Sequence, residues 1–150
     1  MAAIINRRLL VLLARLALAG VFVTAALPKI EDPAAFGSSV AAFRVIDSGL
    51  SAWVALLLPW LELVIGLGIL LPVIRRTSGA LVALLLLLFI TLHLSAWARG
   101  LDISCGCFGA ETGEAGADYR WLILRNLLLL GAVTLVHKQD RQSNNTAPLS

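Results

Sequence analysis

The sequence predicts an all-α fold: a four-transmembrane-helix bundle with a short interfacial helix between helices 1 and 2 and a dithiol loop between helices 3 and 4. Two observations predict it. Of the 150 residues 59% are apolar and 14% charged, where a soluble domain carries roughly 25% charged residues, and the mean hydropathy is +0.91. Four stretches, Leu9 to Leu27, Ala52 to Leu71, Gly79 to Ala98 and Tyr119 to Val136, each approach the roughly 20 apolar residues that cross a bilayer as a helix. These runs fill the chain, so residues 1–138 read as one membrane domain and 139–150, polar and without periodicity, as a disordered cytoplasmic tail. The formal net charge of +3 sits on Arg and Lys near the span ends. That ties the charge to topology and lipid headgroups and excludes nucleic acid as a partner.

Arg7 and Arg8 precede the first span, and Arg15 lies deep enough that its side chain must snorkel back to the same surface. The run exceeds the roughly 7 to 15 residues of a signal-peptide core and no clear A-x-A site follows, so it reads as a retained helix. Pro28 should end it. Asp32 can cap a new helix whose first residue is Pro33. From Ala34 to Ile46 the apolar residues Phe36, Val40 and Phe43 recur at helical spacing. This piece is too short to span and suits the interface, as a lid or collar on the outer side.

Ser51 can cap the second span, which carries Trp53 at its start, Pro59 as an expected kink and Glu62 near its middle. Gly66 and Gly68 permit close helix contact. Arg75 and Arg76 form a short loop without acidic residues. The third span contains the run Leu84 to Leu88, expected to face lipid, then His93, Trp97 and Arg99 toward its outer end. Asp102, Glu111, Glu114 and Asp118 make the next loop the most negative part of the chain. The fourth span opens with Tyr119 and Trp121 and holds Arg125 and Asn126 within its apolar run.

Arg7, Arg8, Arg75, Arg76, Lys138 and Arg141 fall on one side, against Lys29, Arg44, Arg99 and Arg120 on the other, and the positive-inside bias makes the first side cytoplasmic. Trp53, Trp97, Tyr119 and Trp121 gather at the opposite interface as an aromatic belt. The expected location is a bacterial inner or cell membrane with both termini cytoplasmic. The cysteines then lie on the extracytoplasmic face, where disulfides persist.

Both cysteines, Cys105 and Cys107, stand one glycine apart. Gly106 tolerates the tight turn that brings their sulfurs together. A ring so small is strained and easily reduced, which suits exchange. A structural disulfide stabilises in proportion to the chain it encloses, and one intervening residue encloses almost none. Zinc needs further Cys or His ligands; His93 is expected below the loop and His137 on the far side, so no metal is expected. A redox dithiol is therefore favoured over a structural or vestigial role.

Counting about 1.5 Å per residue from Trp53 places Glu62 some 13 Å below the outer interface, near the bilayer centre. A carboxylate there costs several kcal/mol unless paired or protonated. Two possibilities stay open: a Glu62 to Arg125 pair that clamps the bundle, or a proton carrier coupled to thiol oxidation or to a bound quinone. Lys29, His93 and Arg99 are expected in the outer half under the loop, where cations raise the thiolate fraction. His93 equally suits a hydrogen-bonded interior histidine.

Gly20, Phe22, Leu27-Pro28-Lys29-Ile30, Asp32-Pro33, Leu58-Pro59-Trp60-Leu61-Glu62, Arg99-Gly100-Leu101 and Cys105-Gly106-Cys107-Phe108-Gly109, in this order, resemble the MauE branch of the DoxX-like membrane proteins. The match runs from the first helix into the fourth, and its last motif is its most specific part. The resemblance implies a four-helix membrane bundle working with a thioredoxin-like periplasmic partner to mature periplasmic proteins, such as the disulfide-rich small subunit of methylamine dehydrogenase. Other DoxX-like proteins are linked to quinone-coupled sulfur oxidation. Quinone-coupled thiol oxidases commonly relay electrons between two dithiol pairs, and this chain has one. Cys105 and Cys107 are therefore expected to exchange directly with client or partner thiols and pass electrons to a quinone or a second protein, a thiol-disulfide oxidoreductase. Two alternatives remain: a non-enzymatic membrane partner that docks the maturation factor through its acidic loop, and a quinone-reducing subunit of a sulfur-oxidising complex.

Overall fold

Five helices follow one another in the computed structural model, which describes residues 2–101 and 118–145: α1 (Ala2–Glu31), α2 (Pro33–Ala42), α3 (Ser48–Gly68), α4 (Arg75–Ala98) and α5 (Tyr119–Asn145). Four contain stretches long and apolar enough to cross a membrane, Leu9–Glu31, Ser48–Gly68, Arg75–Ala98 and Tyr119–Asp140. This is the all-α, four-span architecture that the apolar runs predict. No strand occurs among the described residues.

The four long helices close into a ring, because α1 and α4 each pack against both α3 and α5. Across the middle, α1 faces α4 and α3 faces α5. Contacts at the two ends show that successive long helices alternate in direction. Arg15, near the middle of α1, meets Arg75 at the start of α4 through Asp140 near the end of α5, whereas Lys29, in the last turn of α1, meets Glu62 of α3 further toward the other end. The apolar interior between them consists of Leu18 and Phe22 of α1, Ile65 and Ile69 of α3 and its exit, Val82, Leu85 and Leu86 of α4, and Val133 and Val136 of α5. Outward, Leu10, Leu57, Leu84 and Leu128 are exposed, an apolar exterior on the scale that marks a lipid-facing surface.

Several boundaries differ from the expected ones, each for a local reason. Helix α1 does not end at Pro28 but continues to Glu31, with Asp32 N donating to Pro28 O at 3.1 Å. A proline removes one backbone donor, and continuing the helix satisfies the other carbonyls, which an apolar solvent demands. Asp32 then caps α2 by accepting from Ala35 N at 2.9 Å, with Pro33 in the first turn. That helix stops at Ala42 instead of Ile46 because Arg44 takes a left-handed φ of 51°. The cap of α3 is Asp47 and not Ser51: Asp47 Oδ1 accepts from Leu50 N at 2.8 Å, while the Ser51 hydroxyl donates to Asp47 O. Arg75 and Arg76 open α4 and are not a loop. Within Leu84 to Leu88, Leu84, Leu87 and Leu88 are exposed but Leu85 and Leu86 are buried, since one helical run turns through both faces.

The largest correction concerns the end of the chain. Helix α5 passes Val136 and the expected boundary at 138 and runs to Asn145, so most of the anticipated tail from 139 is helical. Asp140 accounts for it: it is 4% exposed and paired with Arg15 and Arg75 of the two neighbouring helices. Residues 146–150 lie outside the described residues.

Gly66 has the role expected of it. A Cβ there would stand 2.7 Å from Phe22 Cβ, so only glycine lets α1 and α3 approach this closely.

Candidate functional site

The close approach of α1 and α3 brings two opposite charges together in the interior. Lys29 and Glu62 are 2% and 1% exposed. Lys29 Nζ donates to both carboxylate oxygens of Glu62, at 2.8 Å to Oε1 and 2.7 Å to Oε2. The ammonium also lies 5.0 Å from the ring centroid of Phe36 on α2 and 5.5 Å from that of Phe89 on α4. Two aromatic faces thus cover what the carboxylate leaves open. Such a pair is worth little against an apolar substitute, yet removing either partner alone strands a charge and costs about 3–5 kcal/mol.

The expected Glu62 to Arg125 clamp is therefore replaced by a Lys29 to Glu62 pair. The ring of helices explains it: α3, which bears Glu62, packs beside α1 and lies across the bundle from α5, which bears Arg125. Arg125 and Asn126 instead line a cavity of about 30 Å³ together with Lys29, Glu62, Phe89 and His93. Asn126, 3% exposed, belongs to this polar group although the sequence marks it only as a polar residue in an apolar run.

His93 is 2% exposed. Its Nδ1 is 2.6 Å from Phe89 O, and since a carbonyl only accepts, Nδ1 carries the proton and donates. Nε2, the lone-pair side of the neutral ring, is buried with no hydrogen-bond partner among the described residues. The imidazole stands edge-on to Phe43 at 5.9 Å and to Tyr119 at 6.3 Å between centroids. The Tyr119 hydroxyl donates to Leu101 O at 2.5 Å. This bond ties the end of α4 to the start of α5, the two stems of segment 102–117.

Arg99 does not join the group. It is exposed and donates to Phe43 O at 2.5 Å, holding the exit of α2 to the exit of α4. Cys105 and Cys107 lie outside the described residues, and so do Asp102, Glu111 and Glu114. Of the sequence-derived candidates the structure thus gathers Lys29, Glu62, His93 and Arg125, and sets Arg99 apart. Among the described residues no cluster of His, Cys, Asp and Glu has the makings of a metal site.

A quinone does not fit the cavity near Glu62. An apolar cavity that takes up benzene measures about 150 Å³, five times the volume found here. The space suits a water molecule, which needs about 10–15 Å³ and two to four polar partners.

A family model described as "Methylamine utilisation protein MauE" matches residues 7–138. The chain is 32% identical over 132 residues to the methylamine utilization protein MauE of Methylophilus methylotrophus, covering 87% of this chain and 69% of that one. It is 35% identical over 116 residues to the MauE of Paracoccus denitrificans, covering 77% and 61%. With the MauE of Methylorubrum extorquens it shares 36% over 86 residues, 57% of this chain and 46% of that one. The matched stretch is thus between about half and two thirds of the relatives' own length. No solved structure gives a significant match. Similar across all four of its spans to proteins of that one description, the chain belongs to the MauE family.

Proposed function

We propose that this protein is a membrane thiol-disulfide redox protein whose Cys105 and Cys107 exchange with a thioredoxin-like partner, supporting disulfide formation in a periplasmic protein of methylamine utilisation or a related client. The observation that carries it is the setting of the two cysteines. They stand one residue apart in the sequence between α4 and α5. One cysteine is attacked by a partner thiolate, the bond between Cys105 and Cys107 breaks, and the second partner thiol resolves the mixed disulfide. The partner leaves oxidised and the dithiol reduced. Electrons then pass to a second protein disulfide or to a quinone held elsewhere than in the cavity beside Glu62.

The orientation that goes with this reading rests on charge and on the tryptophans. Arg15, Arg75 and Arg76 share one end of the bundle, which is assigned to the cytoplasm by its positive charge. The exposed Trp53, Trp97 and Trp121 lie toward the other, extracytoplasmic end.

The test is the reduction potential of the Cys105/Cys107 pair in nanodiscs, by thiol trapping across a graded glutathione series. A value above about −230 mV, the range of exchange catalysts, is expected; one below about −300 mV, the range of structural disulfides, replaces this function with docking. Cys105→Ser with Cys107→Ser separates the two directly. Exchange ends with the sulfurs, whereas docking through the acidic segment survives them.

A further inference from the structure

We propose that the end of the bundle where Arg15, Arg75 and Arg76 converge binds the headgroup phosphate of an anionic phospholipid, whose acyl chains lie against the apolar turn between α3 and α4. Arg15 of α1 and Arg75 of α4 face Asp140 Oδ1, and Arg76 donates to the Asp140 carbonyl at 3.1 Å. Three guanidiniums thus meet one carboxylate, which leaves two positive charges in excess. A guanidinium has five N–H donors, and these contacts engage one nitrogen of each. Arg76 is exposed and the side chains of Arg15 and Arg75 are partly so, and donors remain that a ligand outside the bundle can reach. A topology signal works equally well from scattered residues. It does not ask for arginines of two helices to be gathered onto one buried aspartate of a third.

The surroundings identify the ligand. Leu9 stands six residues before Arg15, about 9 Å further along α1, and Leu9, Leu10 and Leu13 are all exposed. Apolar surface therefore continues past the arginines on the α1 side. On the other side the turn from α3 into α4, residues 69–74, holds no polar side chain. Its Leu71 and Ile74 are exposed and its Val73 is 91% so. Arg75 N donates to Leu71 O at 2.9 Å, which folds this turn against the arginines. Exposed apolar surface of this kind seeks acyl chains, and charge in excess at that depth is costly unless a counterion comes with it. A phospholipid supplies both in one molecule. Its phosphate accepts paired bonds from guanidinium, and its chains cover Leu71 and Val73. A headgroup of net negative charge is preferred, because the ammonium of a zwitterionic one brings a further cation to a site that already has two too many. No cysteine enters the site, so it stands apart from the dithiol function.

The test is native mass spectrometry of the full chain in detergent, offered phosphatidylglycerol and phosphatidylcholine of identical acyl chains in equal amounts. Preferential retention of phosphatidylglycerol is expected. An arginine beside an anionic headgroup is worth about a fivefold gain in affinity. Arg76→Gln should therefore lower the preference about fivefold, and Arg75→Gln with Arg76→Gln about twenty-five-fold. Arg120→Gln removes an equal charge from an exposed residue at the start of α5 and should change nothing. Should the double variant not fold, Arg76→Gln alone decides, since it leaves both ion pairs of Asp140 in place. Glycerol phosphate, a like anion without chains, should not displace the lipid at equal concentration. Equal retention of the two lipids, no loss from Arg76→Gln, or the same loss from Arg120→Gln overturns the site. Displacement by glycerol phosphate overturns the lipid as its ligand and leaves a soluble phosphate in its place. A lipid-free dimer that separates in the arginine variants overturns it as well, and makes this end a contact between two copies of the chain.

Discussion

Two charged clusters occupy the two ends of this bundle, about 21 Å apart along α1 by the rise per residue from Arg15 to Lys29, and they follow opposite plans. At the α2 end one ammonium meets one carboxylate, both side chains 2% exposed. At the other end Asp140 Oδ1 faces Arg15 and Arg75, whose side chains are 17% and 26% exposed. Arg76 adds a bond of 3.1 Å to the Asp140 carbonyl. The arginine end thus gathers three guanidiniums about one aspartate and leaves two of them partly exposed, whereas the Lys29–Glu62 pair is sealed, with the Arg125 guanidinium lining the same cavity. Both ends nevertheless hold a small cavity and a buried nitrogen without a hydrogen-bond partner among the described residues, His93 Nε2 at the sealed end and Arg15 Nε at the other. What separates the two ends is how far their charges are closed off from solvent.

The contrast is broken most forcefully at Lys29. Lys29→Met strands the Glu62 carboxylate in the interior and is expected to lower stability by about 3–5 kcal/mol, read by reversible unfolding in mixed micelles. Lys29→Met with Glu62→Met restores most of the loss, because two methionines fill the site without charge. Equal losses in the single and double variants would show that packing around Lys29, and not the pair, holds α1 to α3.

How much of this was legible beforehand follows from one spacing. Charge and hydropathy locate four spans, and the spans locate Glu62 and His93 inside them. Which partner Glu62 takes depends on which helices are neighbours, and four apolar runs do not state that. A seven-residue seam does carry the signal. Arg15, Phe22 and Lys29 share one stripe of α1, as Ala55, Glu62 and Ile69 share one of α3, Gly79, Leu86 and His93 one of α4, and Asn126, Val133 and Asp140 one of α5. Phe22, Ile69, Leu86 and Val133 are buried, so each polar residue in register with them points inward too. Asp140 was illegible to a hydropathy count because its neighbours Lys138 and Arg141 are polar, but its register with Val133 marks it as interior. The cap at Asp47 also lies in the sequence, three residues before Leu50, in the position a side-chain cap requires. The end of α2 at Arg44 has no such signal, for nothing in that residue type announces a positive φ.

A smaller effect sharpens the comparison from the packing side. Gly66 lies one turn from Glu62, and Phe22 two turns from Lys29, so their close approach sets the distance across the pair. The methyl of Gly66→Ala would meet Phe22 Cβ at 2.7 Å, an atom fixed to the backbone of α1. The helices must part, at an expected cost of about 1–3 kcal/mol. Gly20→Ala, with nothing within 4 Å of the added carbon, is the reference and should lose nothing. Double-mutant cycles with Lys29→Met should show coupling to Gly66→Ala and none to Gly20→Ala.

The smallest expected effect belongs to Asp140. Asp140→Asn keeps an acceptor for Arg15 and Arg75 but removes the single carboxylate among three guanidiniums, and the partly exposed arginines can turn to water or headgroups for solvation. The loss should be about 1 kcal/mol, because the neutral amide still accepts from guanidiniums that keep 17% and 26% of their side-chain surface exposed. It should shrink as salt is raised, because screening relieves the repulsion left among Arg15, Arg75 and Arg76. The proposed thiol exchange should keep its rate, since Asp140 ties α1, α4 and α5 and touches neither Glu62 nor His93. A loss as large as that of Lys29→Met and insensitive to salt would make the arginine end as sealed as the other. A slowed exchange would go further, because it would mean that the two ends share one equilibrium and that the clamp, too, takes part in the chemistry.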